Sequence, residues 1–299
     1  MSLDDKCWTA FDKRDHKEVV RLLPLVKEHN KIKSCSPQLT DHKMSLDDKC
    51  WTAFDKRDHK EVVRLLPLVK EHNKIKRTCI WDNTSLLHLS SWYGWLDVTK
   101  DLITKYHCDP HERDDDGWTC LYYAAVGNHV DVMRYLIDEC HCDPKVPSQF
   151  GGTVLHRVAE GGSLDFMKYL INHHHCDPMA TNNSGQTVLH RAAGHIDIVK
   201  YLINECHCDP MAVDGDRWTP LHCAAAARYY GNSAAVEYLL STGKCDPLAK
   251  DNEGKTPFKL AKEDGNTDTL SVLKKFGGIK SSHPIDSYVN VLLVGNPGA

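Results

Sequence analysis

The chain has 299 residues, 41% hydrophobic and 26% charged, so it can bury a core and is not a disordered tail. Its net charge of −4 excludes the broad basic field that non-specific nucleic-acid binding needs. No apolar secretory stretch follows MSLDDKCW, and the longest apolar runs, such as VNVLLV, are too short to span a bilayer. Thirteen cysteines without a secretory signal predict free thiols in a reducing compartment, the cytoplasm.

In chain order the first feature is a duplication. Residues 1–33 and 44–76 are identical at every position, and each copy holds eight Lys/Arg against six Asp/Glu. Asp41 and Lys43 cancel between them, so residues 1–76 carry +4 and the remainder −8, which together give −4. The remainder should prefer a partner of basic character. Each copy reads as a degenerate helix pair, DDKCWTAFDKRD and then HKEVVRLLPLV, with a proline inside the second apolar stretch. Residues 44–79 are expected to cap the segment that begins at residue 80, with Val63, Leu66 and Val69 facing inward. Residues 1–43 are a duplicated copy of that cap plus the polar linker SCSPQLTDHK. Two arrangements are open for them, an extra stacked unit or a loose tether.

From residue 80 the chain repeats itself. Cys-Asp-Pro begins at Cys108, Cys142, Cys176, Cys208 and Cys245, in steps of 34, 34, 32 and 37 residues. A second marker keeps the same period: Ser85, Thr119, Thr153, Thr187, Thr219 and Thr256 open the segments SLLHLS, TCLYYA, TVLHRV, TVLHRA, TPLHCA and TPFKLA. Ser or Thr is suited to cap a first helix, and Pro220 and Pro257 stand where a missing N–H costs nothing. Small residues (Ala124–Ala125, Ala192–Ala193) let helices approach. A break at Asn128, Gly162 or Gly194 precedes an amphipathic second helix such as VDVMRYLIDE. Asp-Pro is expected to end that helix, and a turn such as DDDGW or NNSGQ leads to the next unit.

The T-P-L-H-x-A segments at this period resemble the ankyrin-repeat family from about residue 80 to 277, six units in all. The resemblance implies an all-α fold, an ankyrin-repeat solenoid of stacked helix-turn-helix units, and a protein-interaction role. Departures are local. The fourth unit is two residues short after Ala193, the fifth has extra residues around Arg228–Ser233, and Lys259 replaces the motif histidine in the last, as a capping unit allows.

Ankyrin arrays, as the resemblance implies, bind protein partners along a concave face of turn tips and first helices. The positions just before the caps are Thr84, Trp118, Gly152, Gln186, Trp218 and Lys255, and two residues earlier stand Asp82, Asp116, Phe150, Ser184, Asp216 and Glu253. Trp dominates interface hot spots. Trp118, Phe150 and Trp218 are therefore the expected partner contacts, with Asp116 and Asp216 selecting a basic surface and Gln186 in the equivalent pre-cap place. A second reading stays open for each Trp, that it packs on the adjacent turn.

After Phe276 the pattern stops. Residues 278–287 read as a linker, and 288–299 as a strand followed by the start of a phosphate-binding loop. Gly295 would be its first glycine, with Gly298 among the variable residues; the lysine and hydroxyl that hold nucleotide do not occur. The alternative function is thus a sensor arm of a larger ankyrin–NTPase signalling protein. No complete catalytic motif appears, so no enzyme activity and no cofactor are expected, and a monomer that uses neither nucleic acid nor membrane.

The Cys-His clusters suggest metal, but a residue that recurs once per unit serves the unit. Packed helices lie roughly 8–10 Å apart, too far for equivalent cysteines to share zinc. Cys108, Cys142, Cys176, Cys208 and Cys245 are read as small buried residues. His88, His156, His190 and His222 recur in step with the caps and are read as hydrogen-bonding groups between loop and helix, not as members of a catalytic triad.

Overall fold

The computed structural model describes residues 45–72, 76–77, 84–226 and 232–277. The expected all-α repeat fold is found: fourteen α-helices among the described residues, and one two-residue strand pair. Among the described residues two compact units divide between Asn183 and Ser184.

The first unit opens with α1 (Leu46–Asp55) and α2 (His59–Leu65). Ser45 caps α1 by accepting from the Asp48 N–H, and Asp58 caps α2 by accepting from Glu61. With Asp58 as the cap, Val62, Leu65 and Leu66 fall at i, i+3 and i+4 and are buried, as is Val69. Val63, expected inward, is 45% exposed because it lies one residue off that stripe. A short ladder comes after α2, β1 (Lys76–Arg77) antiparallel to β2 (Thr84–Ser85).

Three helix pairs come next: α3 (Leu86–Trp92) with α4 (Leu96–Thr104), α5 (Cys120–Val126) with α6 (Val130–Asp138), and α7 (Val154–Gly161) with α8 (Leu164–His174). First helices pack on first helices, α1 on α3, α3 on α5 and α5 on α7, and α4 packs on α6. Ala124 and Ala125 are almost fully buried, as close approach requires. Each second helix buries one stripe, Val132, Met133 and Leu136 in α6. On its outer side Arg134 lies over the Tyr169 ring at 4.3 Å and Lys100 over Tyr135 at 5.1 Å, so adjacent pairs are tied there by cation–π contacts.

The second unit has three more pairs: α9 (Val188–Arg191) with α10 (Ile196–Asn204), α11 (Pro220–Ala225) with α12 (Ser233–Ser241), and α13 (Pro257–Glu263) with α14 (Thr267–Gly277). The two-residue deletion after Ala193 leaves α9 a single turn that tightens into a 3₁₀ segment at Ala192–Gly194. Here too first helices pack together, α9 on α11 and α11 on α13, and second helices α10 on α12 and α12 on α14.

The helix stop differs from expectation. Asp-Pro does not end the second helices. They stop earlier, where His107, His141, His175 and His207 take left-handed backbone at φ +52° to +56°. Histidine is among the residues that tolerate this region best. The aspartate then turns the chain beyond the helix: Asp109, Asp143, Asp177 and Asp209 each accept the N–H two residues on, at 2.8–2.9 Å.

Candidate functional site

Five of the turn tips carry a short polar side chain at one place, an accepting aspartate in three of them. Asp114, Ser148, Asn182, Asp214 and Asp251 are all buried, each four residues before the pre-cap position. Asp114 accepts the Trp118 N–H at 2.7 Å and the Tyr123 hydroxyl at 2.7 Å. Asp214 accepts from the Asp216 and Trp218 N–H groups, and Asp251 from Glu253 and Lys255, at 2.7–3.0 Å. Burial raises the pKa of Asp114 despite its bonds from Tyr123 and Trp118. Sequence reading missed these carboxylates; the signal was an Asp, Asn or Ser at that place in five repeats.

Neighbouring turns are joined through the backbone. In the first unit Gln149 N–H donates to Asp116 O at 3.0 Å and Asn183 N–H to Phe150 O at 2.9 Å. In the second, Gly215 donates to Ser184 O at 2.8 Å and Asn252 to Asp216 O at 3.0 Å. The tip positions singled out from sequence are thus the ones whose carbonyls carry the ladder. Gly117, Gly151, Gly185 and Gly254 supply the left-handed residue of four turns, Arg217 that of the fifth, and at Gly117 a Cβ would meet Gln149 N at 3.1 Å.

The motif histidines lock the turns to the helices, as expected. The Nδ1 of His88, His156, His190 and His222 accepts the backbone N–H of its own cap residue at 3.1–3.2 Å. The proton therefore sits on Nε2, which donates to Glu112 O in the case of His88, to Trp218 O for His190 and to Lys255 O for His222. Burial is the main influence on His190 and His222 and lowers both pKa values, holding the neutral form this geometry requires.

The expected contact residues separate by exposure. Trp118 is corrected as a tip aromatic open to a partner: it is 2% exposed. Its ring packs 4.9 Å from Tyr122 and 5.6 Å from Tyr123, and the Arg157 guanidinium lies over it at 5.8 Å. Arg157 also donates to the Tyr122 hydroxyl at 2.8 Å and to Glu160 at 2.6 Å. Burial opposes its charge, but Tyr122 and Glu160 more than offset that and raise its pKa. Phe150 is 45% exposed at its tip. Asp116 is half-buried and accepts from the Gln149 side chain. In the second unit Asp216 is exposed and Trp218 half-buried, its ring 6.2 Å from His222; Gln186 is half-buried and donates to Asp214 at 3.2 Å. Asp82, Gly295 and Gly298 lie outside the described residues.

Cys108, Cys142, Cys176 and Cys208 are buried and Cys245 half-buried, all as free thiols. Burial pushes Cys108, Cys176 and Cys245 up to about 11, which makes them poor nucleophiles. Among the described residues no group of three His, Cys, Asp or Glu side chains is placed to hold a metal ion. No described helix is long and apolar enough to cross a membrane.

The family model described as ankyrin repeats (3 copies) matches residues 50–148, 140–214 and 206–283, which together span more than half of the chain. No curated protein matches the sequence.

Proposed function

Because the chain belongs to the ankyrin-repeat family, we propose that it is a protein-interaction scaffold that docks a protein partner along its turn tips. The carrying observation is the contrast between a fixed turn backbone and variable tip side chains. Asp114, Asp214 and Asp251 hold three tips, the carbonyl ladder joins neighbouring turns within each unit, and Phe150 stands exposed at a tip carried by that ladder. A rigid scaffold with differing exposed side chains costs little ordering entropy on binding. Phe150 is the apolar anchor, and Asp116 and Asp216 favour a basic partner surface. Trp218 and Gln186 extend the contact in the second unit, while Trp118 acts through the packing of its turn. Residues 44–79 serve as the cap, 80–277 as the array and 278–287 as a linker; the protein works as a cytoplasmic monomer without a catalytic role.

The test is a pull-down with the full chain, comparing wild type with Phe150→Ser and with Asp216→Lys, beside thermal unfolding of each. Selective loss of captured protein at unchanged unfolding temperature is expected. An unchanged capture profile in both variants sinks the reading.

A second reading rests on YVNVLLV followed by Gly295 and Gly298: the chain is the recognition arm of a larger ankyrin–NTPase protein. Reading the coding sequence beyond Ala299 decides it. Gly-Lys-Ser/Thr supports the arm, and a stop codon removes it.

A further inference from the structure

The surface that receives the N-terminal helix pair is made specific by a few side chains. Phe54 lies against Trp95 with ring centroids 5.4 Å apart, and the His59 ring meets the edge of Trp95 at 5.2 Å. His59 Nε2 pairs with Asp97 Oδ1 at 2.9 Å, and the Arg57 guanidinium covers the Tyr93 ring at 5.2 Å. Tryptophan, tyrosine and arginine are the side chains in which docking energy concentrates. Among the described turns between paired helices of this unit, the one between α3 and α4 carries Tyr93 and Trp95, where the next two repeats read Gly127-Asn128-His129 and Gly161-Gly162-Ser163.

Residues 1–33 reproduce the docked segment without a change, so Phe11, Arg14 and His16 stand where Phe54, Arg57 and His59 stand in the second copy. The outer side of that second copy is poorly suited to receive them. Three residues after the second-helix cap come Val98, Val132 and Phe166 in the following repeats, each at most 2% exposed. In α2 the same place holds Glu61, half-exposed and paired with Arg64 at 2.5 Å, beside exposed Lys60. An apolar face stacked there would have to desolvate these charges. The surface of Tyr93, Trp95 and Asp97 is the one that matches.

We infer that this surface is a shared dock for two identical segments of the same chain, held by residues 44–76 and open to replacement by residues 1–33. The inference is independent of which partner the turn tips bind. Equal contacts leave chain length to set the ratio. From His72 to Thr84 the connection is 12 residues, and from the equivalent His29 it is 55. The three-halves power of that ratio favours the second copy about tenfold. A tethered spare segment acts at an effective concentration on the order of millimolar, so loss of the first occupant is followed by capture of the other.

Hydrogen–deuterium exchange of the full chain tests this, read at the amides of α4 and its preceding turn. The variants are Phe11→Asp, Phe54→Asp and both together, with amides of α10 to α14 as the folding control. Phe11→Asp should change exchange by less than about twofold, and Phe54→Asp should speed it by about tenfold, because the spare copy takes over. The double variant, with neither copy able to dock, should speed it by about a hundredfold or more. If Phe54→Asp is as damaging as the double variant, or the double variant exchanges like wild type, the shared dock is wrong. It is equally overturned if protection in Phe54→Asp falls on dilution while dimers appear in size-exclusion chromatography, because the occupant then comes from a second chain.

Discussion

The turn that carries Trp118 and the turn that carries Trp218 start from the same chemistry. In each, a buried aspartate accepts the tryptophan N–H, at 2.7 Å from Asp114 and 2.8 Å from Asp214. The indole rings nevertheless end in different surroundings. Trp118 is enclosed by Tyr122, Tyr123 and Arg157, whereas Trp218 remains half-buried with His222 as its ring neighbour. Tyr122 occupies the helix position that His222 occupies in the other turn. The backbone of a tip is thus fixed by its acceptor, and the availability of its side chain by what the next helix presents.

The contrast breaks most sharply under truncation. Trp118→Ala should destabilise the fold by about 3–5 kcal/mol, the usual cost of emptying a large buried aromatic site. Trp218→Ala should cost about 1 kcal/mol. Urea denaturation of both variants checks this, and equal midpoints would remove the distinction. Next in size, Asp114→Ala should cost about 1–3 kcal/mol, since it removes the acceptor of the Trp118 N–H and of the Tyr123 hydroxyl. Asp114→Asn should cost less, as Asn182 already serves at the equivalent place.

A pH series sharpens the comparison further. The folded pKa values of His190 and His222 are lowered by burial, so their stabilising contribution is present above the ordinary histidine pKa and is lost as pH falls below about 6.5. Protonation of Nδ1 would set a donor against the Thr187 or Thr219 N–H. Asp114 has the opposite sense: its raised pKa gives a contribution that is full below about pH 4 and lost as pH rises through the folded value. Protection factors at α11, with the intrinsic pH dependence of amide exchange divided out, should therefore fall between pH 7 and 5, and a flat profile of protection would refute the histidine locks. The smallest effect is expected at Arg217, which takes left-handed backbone at φ +61° where Gly117 stands in the other turn. Arg217→Gly should stabilise by about 0.5 kcal/mol, the left-handed strain relieved less the entropy glycine adds to the unfolded chain.

Repeat period, caps and locking histidines were legible because each is a local rule restated in every unit. Thr219 with Pro220 announces a helix start whatever surrounds it. The fate of Trp118 was not legible, because it depends on Arg157, thirty-nine residues later and in another helix. Val63 was misplaced for a related reason: a one-residue choice of cap, Asp58, decides which of two adjacent valines faces inward. The helix stops were assigned to proline, the stronger breaker by propensity, although left-handed histidines act first.

The carbonyl ladder between turns also governs where this protein can gain or lose residues. Five residues separate a short polar residue from the cap in five of the repeats, from Asp114 to Thr119, Ser148 to Thr153, Asn182 to Thr187, Asp214 to Thr219 and Asp251 to Thr256. Both length irregularities of the array, after Ala193 and around Arg228–Ser233, fall instead between the two helices of a unit. A turn whose backbone is bonded to its neighbours cannot change length alone, while an inter-helix connection lengthens at small entropic cost. Inserted loops or labels should therefore be accepted between paired helices and rejected at the tips, so that the array diversifies its surface by substitution and its span by insertion.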